Sequence, residues 1–271
     1  TESAPSNQRG YYGAFAQAGA PIGVILANLA LIITSALVSD EFFNTWGWRI
    51  PFLASAVLIL VSMYIQLNLE DTKAFKELAV HRNEQANNEK TAIQKSPIIE
   101  AVRKYPKRIM LAAGAFINIQ VTFYILIAFL LAYGVQSAGM ERDDMLTSVL
   151  IASAVMVPMQ FLFSSYSDRN GRRGIFMLGA VLSGLWAFAI FPLVDTGSFW
   201  LITLAVSGGM VFLAMMYGPQ AAFFTELFST EVRYSGATLG YQFGAIIGGA
   251  FAPTIAVKLW TEFDIFWVSV Y

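Results

Sequence analysis

The chain has 271 residues, 56% of them hydrophobic and 13% charged, with a net charge of −1 and a mean hydropathy of +0.58. A soluble domain carries about 25% charged residues, so this composition belongs in a lipid bilayer, and its near-neutral charge argues against a nucleic-acid partner. Cysteine is absent and His81 is the single histidine, which removes disulfides, thiolate chemistry and a histidine-based metal site or triad; no metal or cofactor is expected.

A bilayer core requires about 20 apolar residues per spanning helix. Segments of that length predict spans at 12–38, 50–69, 109–134, 146–166, 174–194, 199–224 and 235–260. An eighth helix begins at Ile265 and is cut off at Tyr271. Ahead of the second span, Trp46, Trp48 and Arg49 suit interfacial anchors, with Pro51 at the helix start. The long polar stretch from Glu70 to Arg108 mixes both charges with Asn and Gln, which suits short surface helices rather than a folded domain. Pro158, Pro192, Pro219 and Pro253 lie inside spans and predict local kinks or breaks, Gly218-Pro219 being the preferred point of bending.

Alternating the loops across the membrane puts only Arg49, Arg142 and Lys258 on one side, out of 17 lysines and arginines. The basic side is cytoplasmic. That side holds the polar N-terminal decapeptide, the 70–108 loop, the turn at 167–173 and the turn at 226–233.

A repeat organises the spans. Gln17-Ala18-Gly19-Ala20-Pro21-Ile22-Gly23 returns as Gln242-Phe243-Gly244-Ala245-Ile246-Ile247-Gly248. Each copy follows a Glu–Arg pair at the same spacing, Glu2 with Arg9 and Glu226 with Arg233. Six spans separate the two copies, which implies two six-helix halves of parallel-repeat design, with four helices upstream of Thr1. The expected organisation is the end of an N-terminal bundle at 1–69, a cytoplasmic inter-half loop at 70–108 and a C-terminal bundle at 109–271. Gly19/Gly23 and Gly244/Gly248 are spaced for close helix packing in lipid and receive no ligand role.

The hexapeptide Asp168-Arg169-Asn170-Gly171-Arg172-Arg173 carries the clearest chemistry. A positive-inside anchor accounts for Arg169. Plain anchoring requires no aspartate, and Asp168 ends a helix where the dipole disfavours negative charge. Asp168, Arg172 and Arg173, with Glu226 and Arg233, are therefore expected to form a conformational latch, matched by Glu2 and Arg9 in the other half. The positive partner of Asp168 is expected to be the start of the helix near Gly13, a contact that would favour an outward-facing state.

Asp-Arg-x-Gly-Arg-Arg between two spans resembles the second copy of the cytoplasmic loop motif of the major facilitator superfamily. Trp46-Gly47-Trp48-Arg49-Ile50-Pro51-Phe52, Glu226 to Gly236, and Glu2-x-x-Pro5-x-x-x-Arg9-Gly10 narrow the resemblance. They are similar to the metabolite:proton symporters, which include permeases for proline and betaine, shikimate, α-ketoglutarate and citrate. The chain departs from that pattern at Ser164, Ser229 and Asp71-Thr72-Lys73. The resemblance implies an all-α polytopic membrane protein with a partial major facilitator fold, about seven transmembrane helices plus a truncated eighth. It implies a monomeric symporter in the bacterial inner membrane, moving a small polar metabolite with protons. The family's seventh and eleventh helices line its central cavity, so Gln120, Tyr124 and Tyr241 become substrate-binding candidates. Gln242 joins them, standing where many relatives have Asn. Asn118, on the other side of its helix, is expected to serve packing. No Asp, Glu or His lies mid-span, so the proton-coupling carboxylate is expected upstream. A sugar porter or drug exporter of the same fold, and a solute sensor derived from it, remain alternatives; an enzyme lacks any nucleophile–base pair.

Overall fold

A computed structural model of the chain describes residues 4–5, 7–68, 97–228 and 233–271. Among these residues the backbone is helical wherever it is regular, and no strand occurs. The chain divides into two compact units, one of Leu29–Ser96 and a larger one joining Ser3–Asn28 to Pro97–Tyr271. Helix α1 (Arg9–Leu37) contributes residues to both.

In the smaller unit, α2 (Asp40–Thr45) is capped by Ser39, whose hydroxyl accepts from the Phe42 N–H. A 3₁₀ turn at Gly47–Arg49 leads into α3 (Ile50–Ala54) and α4 (Ala56–Asn68). The Arg49 guanidinium lies 4.2 Å from the centre of the Trp48 ring and donates to the Thr45 carbonyl, which immobilises this stretch as an interfacial anchor requires. The second span therefore runs over Gly47–Asn68, starting earlier than the apolar run at 50–69. At Ser55, between α3 and α4, the hydroxyl donates to the Phe52 carbonyl at 2.6 Å, a local bond that competes with the helical ladder.

The larger unit begins with the short helix α5 (Pro97–Lys104), inside the polar 70–108 stretch; residues 70–96 lie outside the described ones. Then come α6 (Pro106–Tyr124), a π-helical turn at Ile125–Phe129, and α7 (Leu130–Gln136). Helices α8 (Arg142–Asn170), α9 (Arg172–Val194) and α10 (Phe199–Glu226) follow. Helix α11 (Arg233–Gly244) passes through a second π turn at Ala245–Ala250 into α12 (Ala252–Glu262), and α13 (Ile265–Val270) completes the order. Among the described residues, seven helices are long and apolar enough to cross a membrane.

Of the four prolines expected to kink or break their spans, three interrupt no helix. Helices α8, α9 and α10 run unbroken through Pro158, Pro192 and Pro219. Only Pro253 accompanies a break, at the start of α12 directly after the π turn. Proline offers no N–H to the carbonyl four residues back and its ring crowds that carbonyl, and a widened preceding turn relieves both problems.

Helix α10 forms the centre of the larger unit. Ile202, Met210, Leu213, Met216 and Phe224 are fully buried along it. Helix α11 lies on α6 through a row of glycines. A Cβ placed at Gly240 would stand 2.8 Å from the Ala112 Cβ, one at Gly244 would stand 2.7 Å from the Phe116 Cβ, and one at Gly248 would stand 2.7 Å from the Ile117 carbonyl. Without side chains on that row the two backbones approach closely, which in lipid replaces the hydrophobic drive. At the opposite end from Asp168, the Tyr133 hydroxyl donates to Asp195 at 2.6 Å, and its ring meets Trp260 and Phe191 edge-on.

Candidate functional site

Gly171 connects α8 to α9 by itself, with φ +89°, a conformation that side chains resist. Its N–H donates to the Ser167 carbonyl, closing the end of α8. This one-residue reversal brings Asp168, in the last turn of α8, beside Arg172, in the first turn of α9. Arg172 Nη1 lies 3.1 Å from Asp168 Oδ1, and Arg172 Nε donates to Glu226 Oε2 at 2.8 Å. One guanidinium thus joins the ends of α8 and α10.

The remaining bonds of Asp168 go to α1. The Gly10 N–H donates to Oδ1 at 2.8 Å and the Tyr11 N–H donates to Oδ2 at 2.9 Å. The first N–H groups of a helix have no intrahelical acceptor and carry the positive end of its dipole, so a carboxylate suits that position. The Asp168 side chain is 4% exposed; a charge so buried is tolerated only when its oxygens are satisfied. Two amides and a guanidinium meet that condition. Gly10 makes the approach possible, because a Cβ there would lie 2.6 Å from Arg172 Nη1 and 2.8 Å from Asp168 Oδ1. The helix start used by Asp168 is therefore three residues before Gly13.

Of the other residues expected in the latch, Arg173 is exposed, as is Arg169, which was expected only to anchor the turn. Arg9 opens α1 with its Nε buried and unpartnered among the described residues. Glu2 and the side chain of Arg233 lie outside the described residues. Two contributors were missed in the sequence. Gly10 was visible only as part of a motif, although Arg9-Gly10 at a helix start was a signal for close approach. Arg108 donates to the Leu227 carbonyl at 2.6 Å, just past the end of α10, where a cation is favoured; nothing in its local sequence pointed there.

Helix α1 makes further contacts above its start. Phe15 and Tyr11 meet Phe161 of α8 at 4.8 and 5.7 Å between ring centres. Gln17 Nε2 donates to the Tyr217 carbonyl and to Gln220 Oε1, both at 3.2 Å. Tyr241 has Gln17 and Tyr217 as neighbours and stacks edge-on against Phe116 and Phe224. Gln120 and Tyr124 share one face of α6, as their spacing implied, but that face lies against Gly248 and Gly249. Tyr241 stands beside Phe116, a turn of α6 before Gln120, and Gln242 is exposed. The four substrate candidates are thus divided among three surroundings. Asn118 donates weakly to Met216 Sδ and, with Thr122 and Ser183, borders a cavity of about 130 Å³.

A profile of the Major Facilitator Superfamily matches residues 1–253 of the chain. The shikimate transporter of Escherichia coli (strain K12) is 33% identical over 99% of this chain and 60% of its own length. The inner membrane metabolite transport protein YhjE of the same organism is 33% identical, over all of this chain and 61% of its own length. The proline/betaine transporter of Escherichia coli is 28% identical, over 95% of this chain and 51% of its own length. The chain therefore spans between half and two thirds of the length of these relatives.

Proposed function

Because the chain belongs to the major facilitator superfamily, we propose that the intact protein is a proton-coupled symporter of a small polar metabolite, working by alternating access. The chain is part of a multi-pass transporter of the inner membrane, and its relatives are named as transporters rather than enzymes. Relatives named for shikimate and for proline and betaine support a small polar solute with a carboxylate.

The observation that carries the mechanism is the Asp168 carboxylate on the first N–H groups of α1. In this proposal Asp168, Arg172 and Glu226 hold the cytoplasmic ends of α1, α8 and α10 together while the solute path is open to the other side. Solute and proton binding then favour the state in which this contact is broken. Hydrogen bonds to a charged group contribute about 1.5–3 kcal/mol each. Such a latch shifts a two-state balance by orders of magnitude and leaves the fold standing. A neutral lock could not use the helix dipole as well.

Asp168→Asn in the intact protein keeps one acceptor oxygen and loses the charge. Uptake of radiolabelled shikimate and glycine betaine, measured at equal membrane abundance, is expected to fall at least tenfold while insertion is unchanged. Undiminished uptake would return Asp168 to a passive anchor. External alkalinisation on adding the transported solute would establish proton coupling, and its absence would rule proton coupling out.

A further inference from the structure

Helix α5 (Pro97–Lys104) takes no part in the contact around Asp168. It ends at Tyr105, whose backbone (φ −131°, ψ 42°) leaves the helical region, and α6 starts anew at Pro106. On α5, Ile98 and Val102 are four residues apart and so share one face, and both are exposed. Arg103 and Lys104 lie about 100° and 200° round the helix from Val102 and are exposed as well. The helix is therefore amphipathic, with an apolar face that the described residues leave uncovered and a basic edge beside it.

The start of α6 continues the pattern. Lys107 and Arg108 are exposed, and directly beyond them Met110 and Leu111 are 74% and 72% exposed. Since α6 begins a membrane span, bare Met and Leu side chains there face lipid chains. The edge of the hydrocarbon thus passes between Arg108 and Met110, and the basic residues stand at headgroup level. The Arg108 guanidinium lies 5.0 Å from the centre of the Tyr105 ring and donates to the Leu227 carbonyl, which fixes the turn between α5 and α6 at that depth.

Charge identifies what covers this surface. From Pro97 to Arg108 the sequence holds four cations, Arg103, Lys104, Lys107 and Arg108, against one acid, Glu100. Arg103 and Lys107 have no ion-pair partner among the described residues. The preceding stretch 70–96 carries five acidic and five basic residues, so it brings no net negative charge to them. A basic edge beside an exposed apolar face, at the level where a span leaves the hydrocarbon, is complementary to a leaflet of anionic lipid. Acyl chains meet Ile98 and Val102, and the long basic side chains lift their heads to the phosphates.

We propose that α5 lies in the cytoplasmic leaflet as an interfacial helix, and that Arg103 and Lys107 gather anionic phospholipid headgroups there. The polar stretch ahead of it is thereby tied to the membrane surface at its C-terminal end.

The test uses the intact protein, freed of any other thiol, with an environment-sensitive fluorophore on Val102→Cys. It is reconstituted in vesicles of phosphatidylcholine and phosphatidylglycerol. A nitroxide high on the acyl chain is carried by one lipid or the other at the same mole fraction. Quenching by the phosphatidylglycerol nitroxide should exceed that by the phosphatidylcholine nitroxide about threefold or more, and high salt should shrink the excess. Arg103→Gln with Lys107→Gln should bring the two quenchers level, whereas Arg103→Lys with Lys107→Arg should keep the excess. Arg108 is left intact because it also holds α10. Equal quenching by the two lipids in the wild type would overturn the selection of anionic headgroups. No quenching by either would mean that protein or water covers the apolar face, and would overturn the interfacial placement. An excess that survives the paired glutamine substitutions would put the headgroups elsewhere and overturn the assignment to Arg103 and Lys107.

Discussion

The two copies of Gln-x-Gly-Ala-x-Ile-Gly are used in opposite ways. In the later copy, Gly244 and Gly248 press against α6, with no room for a Cβ at either, and Gln242 is exposed. In the earlier copy, a Cβ at Gly19 or Gly23 would meet nothing within 4 Å, and Gln17 is the residue engaged, bonded to α10. Among the described residues, the same seven-residue pattern thus packs through its glycines in one helix and bonds through its glutamine in the other. A repeat specifies that a helix forms and which faces it could offer. Which face is used depends on the helices that stand beside it.

The largest effect expected from that contrast is steric. Gly244→Leu drives a side chain into Phe116 and the Ala113 carbonyl, and overpacking of a well-filled site costs about 1–3 kcal/mol or more. The purified protein should melt several degrees lower or fail to assemble. Gly19→Leu should leave the melting temperature of this chain unchanged; an equal fall in both would show that the two copies pack alike.

Next comes Gly10→Ala. A single methyl between Arg172 Nη1, Asp168 Oδ1 and the Ser164 carbonyl must displace the carboxylate from the start of α1. Uptake should drop about tenfold in the intact protein with little loss of melting temperature, since the burial of α8 and α10 is untouched. Wild-type uptake would mean that the contact tolerates rearrangement and is no latch.

Smaller still is the exchange of the two glutamines. Gln17→Leu removes two bonds at 3.2 Å, each contributing about 0.5–1.5 kcal/mol, and should alter the transport rate severalfold. Gln242→Leu, on an exposed face, should alter nothing measurable. Matching responses would erase the difference between the copies.

The spans were legible because a membrane helix must be apolar over its whole length, and Ser55 and the π turns moved only their internal geometry. Asp168 was legible for a related reason. A carboxylate at a helix C-terminus conflicts with its own dipole and so announces a partner elsewhere. Neutral amides carry no such signal, because Gln17, Gln120, Gln160 and Gln220 each suit any polar neighbour within reach. Their surroundings are set by which helices meet, and that depends on the glycine rows and on the fully buried course of α10 rather than on local pattern. The same reason explains why Gln120 and Tyr124 were placed on one face correctly, while the surroundings of that face, Gly248 and Gly249, were not foreseen.

The latch requires Asp168 to hold the start of α1, and a distance between the two elements tests it most directly. The chain has no cysteine, so spin labels at Gln8→Cys and Arg169→Cys, both exposed positions, introduce the only thiols in it. In the intact protein, pulsed dipolar spectroscopy should give one narrow short distance without solute. Adding transported solute, or introducing Asp168→Asn, should bring up a longer population. Identical distance distributions in wild type and Asp168→Asn, with and without solute, would contradict the latch.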